Sequence, residues 1–316
     1  MRELDHWHPV RLGHEVGRTP VRVELCGRAF VLFRSREGVG ALPETCPHRG
    51  MPLSEGTVED GKLVCPYHGW SWGPDGRGSC PGDPELEPWT EALQTREEHG
   101  AIWVRLHGEG EVPGFETEGF RHLTSFRTEM PGPLERVLDN FSEAEHTPEV
   151  HWMGFDRARM HEVEVDCDVA EDFVHVRNTG HQKRPMKLAR LLVGVPPTDR
   201  YTIEWTTRFS PVYARFDHYW TGEEGVRDKR VRAWVFFNPI DADRTDLVSF
   251  VYVNAGPAWE RLGDPLHARF VRWDIQQDIK VLQHMTTDAR GATSRFDVAL
   301  AANRERVRRI YRGLEG

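Results

Sequence analysis

The sequence reads CPHRG at residues 46–50 and CPYHGW at residues 65–70. Each of these two stretches contains one cysteine and one histidine, separated by only one or two residues. Paired sulfur and nitrogen donors are the ligands of zinc sites and of iron–sulfur clusters. The proline after each cysteine fixes the backbone, and the glycine just behind each histidine allows a sharp turn. The two stretches therefore predict two tight loops that together offer four metal ligands.

The pattern Cys-x-His followed by Cys-x-x-His, with proline after each cysteine and Gly-Trp after the second histidine, closely resembles the Rieske family. In that family two cysteines bind one iron of a [2Fe–2S] cluster and two histidines bind the other. A small zinc site is the alternative, but zinc sites do not need the glycine and tryptophan beside the ligands. The ligands that the resemblance implies are Cys46 and Cys65 for one iron and His48 and His68 for the other.

The composition is that of a globular protein with two domains, since the chain has 316 residues, of which 38% are hydrophobic and 29% charged. The net charge is −9 without a basic block, which argues against nucleic-acid binding. No apolar run reaches the length of a membrane span, and the first residues lack the apolar stretch of a secretory signal. Three scattered cysteines outside the loops argue against a disulfide framework and favour the cytoplasm. One of them, Cys80, is expected to pack near the cluster without binding it.

The chain is expected to form two domains. Residues 19–107 predict a small all-β domain that contains both loops, and residues 108–118, rich in glycine, glutamate and proline, predict a linker. Residues 119–316 contain many strands before long helices, which indicates an α+β fold with an antiparallel sheet flanked by helices, a helix-grip-like arrangement. Residues 1–18 are expected to pack on this second, catalytic domain.

Hydrophobic periodicity also predicts individual elements. The first domain should begin with a hairpin of Val21–Leu25 and Ala29–Phe33. In the second domain the expected strands lie near residues 163–178, 188–195, 201–210, 213–221, 230–237 and 246–253, and the expected helices span 257–287 and 294–313.

An amphipathic helix early in the second domain is predicted to end at about His146. Its polar residues Asp139, Glu143 and His146 share one face. Pro148 should break this helix because the residue before a proline avoids the α conformation. The break would let His151 converge with His146 on one metal ion; a solvated polar face with two unrelated histidines is the alternative.

A carboxylate from the helix at residues 257–287 is a candidate third ligand. Asp274 and Asp278 project into an apolar arc of that helix. A buried carboxylate must be paired, protonated or bound to metal, because an isolated buried charge costs several kcal/mol or more. The two readings are a salt bridge to an arginine and the single carboxylate of a two-histidine, one-carboxylate iron site.

The order of these features resembles the oxygenase (alpha) component of the Rieske non-haem iron oxygenases. The resemblance is carried by the two loops, by the motif DNFxExxHxxxxH at residues 139–151 and by the late aspartate-containing helix. Residues 238–253 look like the monooxygenase and demethylase branch, with its vanillate, dicamba, toluenesulfonate and phthalate types. The implied ligands of a mononuclear Fe(II) are His146, His151 and Asp278.

The resemblance also implies roles for neighbouring residues. It favours Asp278 over Asp274 as the carboxylate ligand. The family has an acidic residue, usually aspartate, three positions before the first ligand histidine, and here that residue is Glu143. Either Glu143 or Asp139 would therefore bridge the two metal sites, and Asn140 belongs to the same catalytic motif.

The implied function is that of a terminal oxygenase. A separate flavin- or ferredoxin-type reductase would supply electrons to the cluster, and the cluster would pass them to Fe(II) on a neighbouring subunit of a homotrimer. O₂ activated there would hydroxylate or oxidatively demethylate a small aromatic substrate. The chain itself has no flavin or nicotinamide fingerprint. The alternatives are a ring cis-dihydroxylating dioxygenase, an electron carrier that uses the cluster alone and a zinc-binding structural protein.

A basic loop at residues 179–190 suggests one way to select the substrate. As a lid, this loop would attract an anionic substrate through Lys183, Arg184 or Lys187. A solvated loop without such a role is the alternative.

Overall fold

The structure, a computed structural model, describes residues 2–183, 195–196, 198–254, 263–286 and 293–314. The chain divides into two compact units. The first is Met1–Gly114 with Asn238–Asp243, and the second is Phe115–Phe237 with Arg244–Gly316. The division after Gly114 falls within the segment 108–118, which the sequence predicts as a linker.

The first unit is built from short antiparallel strands. In chain order these are β1 His8–Leu12, β2 Val21–Leu25, β3 Arg28–Arg34, β4 Val39–Pro43, β5 Thr57–Glu59, β6 Lys62–Val64, β7 Ser71–Trp72, β8 Gly78–Ser79, β9 Gln94–Glu98 and β10 Ala101–Arg105. They form the sheets β1-β10-β9, β2-β3-β4 and β5-β6-β7-β8. Short 3₁₀ helices lie at Glu3–Asp5, Gly13–Glu15 and Leu53–Glu55.

The predicted first hairpin is confirmed as β2 and β3. Its two-residue turn, Cys26 and Gly27, has φ values of 52° and 72°, which match the twist of the paired strands. The N–H groups of this turn donate to the carbonyls of Pro239 and Ile240 at 2.7 and 2.8 Å. These contacts hold the segment Asn238–Asp243 in the first unit. The sequence analysis assigns this segment to the second domain. A contact between residues so distant along the chain leaves no periodic signal in the sequence, so the pattern could not predict it.

Residues 1–18 contribute β1 to a sheet of the first unit, and the expectation that they also pack on the second domain stays a prediction. β1 pairs antiparallel with β10, and the fully buried His8 places Nδ1 2.9 Å from Oδ1 of Asn238. Pro9 lacks an N–H but is tolerated, because β1 is an edge strand whose register shifts after Pro9. The same bulge explains why the sequence shows little alternation here.

The second unit is organised around a seven-stranded antiparallel sheet of order β11-β17-β16-β15-β14-β13-β12. The strands are β11 Phe120–Pro131, β12 Glu164–Val169, β13 Phe173–His181, β14 Arg200–Phe209, β15 Val212–Gly222, β16 Gly225–Pro239 and β17 Arg244–Asn254. The α-helices of the described residues are α1 Leu134–Asn140, α2 Thr147–Val150, α3 Asp264–His284 and α4 Leu300–Arg306. Shorter helical segments lie at Arg157–Glu162, Asp297–Ala299 and Val307–Tyr311.

The predicted α+β class and most of its strands are confirmed, with two differences. The stretch 163–178 forms the hairpin β12–β13 and not one strand, because residues 170–172, which include Glu171 and Asp172, make a turn. The long first strand β11 is missing from the sequence predictions. The strand expected at 188–195 lies, apart from residue 195, outside the described residues, and the helix expected at 257–287 is described from Asp264 to His284.

The core of the second unit lies between the sheet and its helices. Val137 and Leu138 of α1 and Leu282 of α3 pack in one cluster with inward side chains of the sheet. The start of α3 is tied to β11, since Arg121 Nη2 donates to Asp264 Oδ1 at 2.8 Å. None of the helices in the described part of the chain is long and apolar enough to cross a membrane.

Two candidate metal centres

The two ligand loops of the first unit have the same backbone geometry. In each loop the cysteine N–H donates to the carbonyl five residues on, at 2.9 Å for Cys46 and 2.8 Å for Cys65. Gly50 and Gly69 donate back to the cysteine carbonyls at 2.9 and 3.0 Å. Both glycines have positive φ, 73° and 70°, a conformation that a side chain would strain. This repeated turn is the reason why a proline follows each cysteine and a glycine lies four residues after it.

The four predicted cluster ligands come together at the tips of these loops. Cys46 and Cys65 are each 2% exposed, and the two thiols are near enough to hydrogen-bond. The rings of His48 and His68 lie 4.5 Å apart between centroids, and Trp70 stacks on His48 at 4.3 Å. Nδ1 of His48 is buried without a hydrogen-bond partner among the described residues. Two paired thiols and an unsatisfied imidazole nitrogen fit a metal cluster, which would satisfy the buried donors.

The segment that carries the two iron-site histidines differs from the predicted helix. α1 already ends at Asn140, and Pro148 lies in the first turn of the new helix α2. Proline suits that position, because the first N–H groups of a helix have no internal partner. His146 and His151 flank this single turn as its N-cap and C-cap, so that their Nε2 atoms are 3.1 Å apart.

Asp278 of α3 completes the group. Its Oδ1 atom lies 3.6 Å from Nε2 of His146 and 3.4 Å from Nε2 of His151. Asp278 is 2% exposed, and Oδ1 has no hydrogen-bond partner among the described residues. Ligands in neighbouring positions around one metal ion, each about 2.1 Å from it, are about 3 Å apart. Two imidazoles and one buried carboxylate at these separations fit a single divalent ion.

Two further carboxylates face the Nδ1 atoms of His146 and His151, the ring nitrogens on the other side from Nε2. Glu143 accepts from Nδ1 of His146, and Asp274 Oδ1 lies 3.6 Å from Nδ1 of His151. Carboxylates in this position fix the ring orientation of metal-binding histidines and leave Nε2 free for the metal. The role of Asp274 is absent from the sequence analysis, although its spacing of four residues from Asp278 places both on one helix face.

The carboxylates also determine the charge of the metal-free site. Burial lowers the pKa of His151, but Asp274 and Asp278 outweigh this effect and raise it to about 10. A proton therefore occupies the site in the absence of metal and must leave when a metal ion binds.

The other two predicted catalytic residues, Asp139 and Asn140, are not the residues that face the Nδ1 atoms of His146 and His151. Asp139 pairs with Arg304, whose Nε donates to Oδ2 at 3.0 Å. Asn140 is 8% exposed, and its Nδ2 has no partner among the described residues. Of the two candidate bridging acids, Glu143 is therefore the one that contacts His146.

A cavity lies beside the residues that follow His151. It is lined by Trp152, Met153, Gly154, Gln182, Lys183, Tyr201 and Trp220. The amine of Lys183 donates to the carbonyls of Pro148 and His151 at 2.6 and 3.0 Å, so that it holds the ligand-bearing turn. The other two basic residues of the predicted lid, Arg184 and Lys187, lie outside the described residues.

Known families match both units. Residues 6–97 match the family described as the Rieske [2Fe-2S] domain, and residues 130–315 match the vanillate O-demethylase oxygenase C-terminal domain. The second match covers more than half of the chain.

Curated relatives align over part of their length. The chain is 31% identical over 156 residues to chlorophyllide a oxygenase of Arabidopsis thaliana. It is also 31% identical over 170 residues to the phthalate 4,5-dioxygenase oxygenase subunit of Pseudomonas putida. These alignments cover 47% and 49% of this chain but only 29% and 39% of the two relatives.

A solved structure matches along nearly the whole chain. Dicamba monooxygenase bound to 3,6-dichlorosalicylic acid has a TM-score of 0.83 over 98% of this chain and 97% of that chain. Sequence identity is 17%, so this likeness shows a shared fold.

Proposed function

Since this chain belongs to the Rieske non-haem iron oxygenases, in the group with the vanillate O-demethylase oxygenase C-terminal domain, we propose that it is a terminal oxygenase. Its reaction is the hydroxylation or oxidative demethylation of a small aromatic substrate. The observation that carries the proposal is the approach of His146, His151 and Asp278 to within 4.8 Å of one another, in a chain that also has the two Cys-His loops.

Each metal group has its own set of protein ligands in this proposal. Cys46, Cys65, His48 and His68 hold a [2Fe–2S] cluster, which supplies single electrons when bound. His146, His151 and Asp278 would hold one Fe(II), which would supply the activation of O₂.

The chain's own residues prepare the iron site. Glu143 accepts a hydrogen bond from the Nδ1–H group of His146. This hydrogen bond keeps the ring in the tautomer that has a free lone pair on Nε2. Asp274 faces Nδ1 of His151. Lys183 fixes the backbone of the turn between the two histidines. Tyr201 and Trp220, both buried, make the wall of the cavity largely apolar.

Glu143 is the proposed bridging residue between the cluster of one subunit and the iron of the next in a homotrimer. Its contact with His146 supports this choice, whereas the carboxylate of Asp139 is engaged by Arg304. A separate flavin- or ferredoxin-type reductase is the proposed electron donor, since the sequence has no nicotinamide fingerprint. The proposed location is the cytoplasm, in agreement with three cysteines, Cys26, Cys80 and Cys167, that are neither cluster ligands nor in a disulfide.

Metal analysis combined with EPR and absorption spectra tests the proposal. The oxygenase predicts a red-brown protein with about three irons per chain, two in the cluster and one at the mononuclear site. Two irons would instead indicate an electron carrier, and zinc alone a structural protein. O₂-dependent formaldehyde release from methoxy-aromatic compounds, with a surrogate reductase, then tests the reaction.

One second reaction is kept because of the similarity to a phthalate 4,5-dioxygenase oxygenase subunit. A cis-dihydroxylating enzyme would incorporate both atoms of O₂ into the ring and release no formaldehyde. Mass spectrometry of the product formed under ¹⁸O₂ separates the two reactions.

A further inference from the structure

The segment that carries Glu143 lies between two helices and belongs to neither. Residues 141–146 follow α1 and precede α2. Within this segment the Glu143 carboxylate makes local contacts. Its Oε2 accepts from the backbone N–H groups of Glu145 and His146 at 2.5 and 3.2 Å, and its other oxygen accepts from Nδ1 of His146. These contacts join Glu143 to its own turn, but they do not fix that turn in the molecule.

One buried hydrogen bond joins this segment to the C-terminal helix α4. Nδ2 of Asn303 donates to Oγ of Ser142 at 2.8 Å, and both side chains are buried. Ser142 directly precedes Glu143 in the chain. Because water does not compete for a buried hydrogen bond, this bond constrains the backbone beside Glu143 more strongly than a surface contact would.

The amide of Asn303 is only half satisfied. Its Oδ1 is buried without a hydrogen-bond partner among the described residues. If the amide is turned over, Oδ1 accepts from the Ser142 hydroxyl and Nδ2 is left unpaired instead. A buried amide with one unsatisfied end is less favourable than an apolar side chain of similar size. Stability alone therefore does not account for an asparagine at this position.

Apolar packing also holds the segment, but without fixing its direction. The ring of Phe141 lies edge-on against those of Phe237 and Phe216, with centroids 5.5 and 6.3 Å apart. Such contacts bury the segment in the core, since the hydrophobic effect is not directional. They leave the orientation of the following residues to hydrogen bonds.

Two further contacts with the C-terminal residues are exposed. Arg304 pairs with Asp139, but the arginine side chain is 58% exposed, and ion pairs in water constrain little. Ser294 donates to Glu145 at 2.6 Å, also at the surface. Among the described contacts between residues 139–146 and residues 294–306, the bond from Asn303 is thus the buried and directional one.

We propose that Asn303 is a positioning residue of the iron site, which acts through Ser142 to hold Glu143 against Nδ1 of His146. A carboxylate in that place fixes the ring orientation of a metal-binding histidine. The proposal rests on the proposed oxygenase function for the part that Glu143 plays in turnover. Its effect on metal binding, however, can be measured without any reaction.

The main test variant is Ser142→Ala/Asn303→Leu, which replaces both partners by apolar side chains. Since no buried polar group then remains unpaired, the protein should unfold at nearly the wild-type temperature. Ser142→Ala alone, a smaller change, is the second variant in case the first does not fold. His175→Leu/Thr206→Val is the matched control, because it removes a side-chain pair at 3.0 Å between β13 and β14.

Three measurements are compared under nitrogen. Competition with a chelator gives the iron affinity of the mononuclear site, and thermal unfolding gives the stability. Co(II) bound in place of iron gives absorption bands that report the geometry of the ligands. The apolar double variant should bind iron about three- to tenfold more weakly than wild type and show shifted Co(II) bands. This loss is smaller than the 10- to 100-fold typical of removing an outer carboxylate itself. Ser142→Ala should change both in the same direction, and the control should match wild type.

A thermodynamic cycle with Glu143→Gln tests whether Asn303 acts through Glu143. If it does, adding Ser142→Ala/Asn303→Leu to Glu143→Gln should weaken iron binding no further.

Two results would overturn the proposal. One is wild-type iron affinity and wild-type Co(II) bands in the variants that fold, which would leave the bond a purely structural role. The other is a loss that adds fully to that of Glu143→Gln. Failure of the oxygenase function is seen separately, because the effects on metal binding then persist while no methoxy-aromatic compound yields O₂-dependent formaldehyde.

Discussion

The Nε2 atoms of His146 and His151 lie 3.1 Å apart, although four residues, one of them Pro148, lie between them along the chain. The one-turn helix α2 lies between them, with His146 as its N-cap and His151 as its C-cap. Asp278 then reaches both nitrogens from α3. The site thus depends on one local turn and one distant helix.

Replacing Asp274 by asparagine should weaken iron binding without removing the site. The neutral amide no longer favours the Nδ1 proton of His151, and loss of such an outer carboxylate typically costs about 10- to 100-fold in metal affinity. Competition with a chelator, followed by iron analysis, measures this effect. Gln276→Ala, an exposed position of the same helix, is the control, and an equal loss of affinity in both variants would contradict the assigned role.

Glu143→Gln should weaken iron binding as Asp274→Asn does and, in protein loaded with saturating iron, slow electron delivery to the iron. The amide keeps a hydrogen-bonding group beside His146 but loses the charge that stabilises its Nδ1 proton. Reduced protein mixed with O₂ and substrate in a single turnover measures the rate of cluster oxidation. Asp139→Asn, which breaks only the pair with Arg304, should oxidise its cluster at nearly the wild-type rate. If Asp139→Asn is the slower variant, the bridge is wrongly assigned.

Gly69→Ala should reduce cluster occupancy. Gly69 has a φ of 70°, where a side chain costs roughly 1–2 kcal/mol, and the strain falls on the loop that carries Cys65 and His68. The ratio of cluster absorption to protein concentration reports the occupancy. Gly82→Ala is the matched control, because no atom lies within 4 Å of the added carbon and φ is not positive. Wild-type occupancy in Gly69→Ala would show that the turn is not needed for the cluster.

His8 should make the protein less stable in mild acid. Burial lowers its pKa from 6.5 to about 4, so that the folded state resists a proton that the unfolded state accepts. The stabilisation is complete above about pH 6.5 and is lost progressively as the pH falls towards 4, by roughly 2 kcal/mol at about pH 5.

Thermal unfolding of wild type and His8→Gln at about pH 7.5 and about pH 5 measures this loss. The difference between the two proteins should shrink or reverse in acid, because glutamine keeps a partner for Asn238 but does not titrate. If the difference in unfolding temperature between wild type and His8→Gln is the same at both pH values, this role for His8 is ruled out.

The parts of the structure that follow from the sequence are local. The two ligand loops depend on prolines and on Gly50 and Gly69, whose spacing is visible in the chain. The histidines and Asp278 also fall in recognisable patterns, and the structure brings them together.

The parts that the sequence leaves open depend on contacts between distant residues. β1 joins the first unit by pairing with β10, and Asn238–Asp243 returns to that unit through the turn at Cys26. The pairing of Tyr201 with His218 depends on the register of β14 and β15. Register and strand order are not encoded in the periodicity of one strand, which reports only the face that each residue occupies.

Iron stoichiometry in ligand variants tests the central claim, that one chain holds two separate iron centres, most directly. His146→Ala, His151→Ala and Asp278→Ala should each lower the iron content from about three to about two per chain, keep the absorption and EPR spectra of the cluster, and abolish O₂-dependent turnover. Variants that retain about three irons and normal turnover would contradict the account, even with an intact cluster.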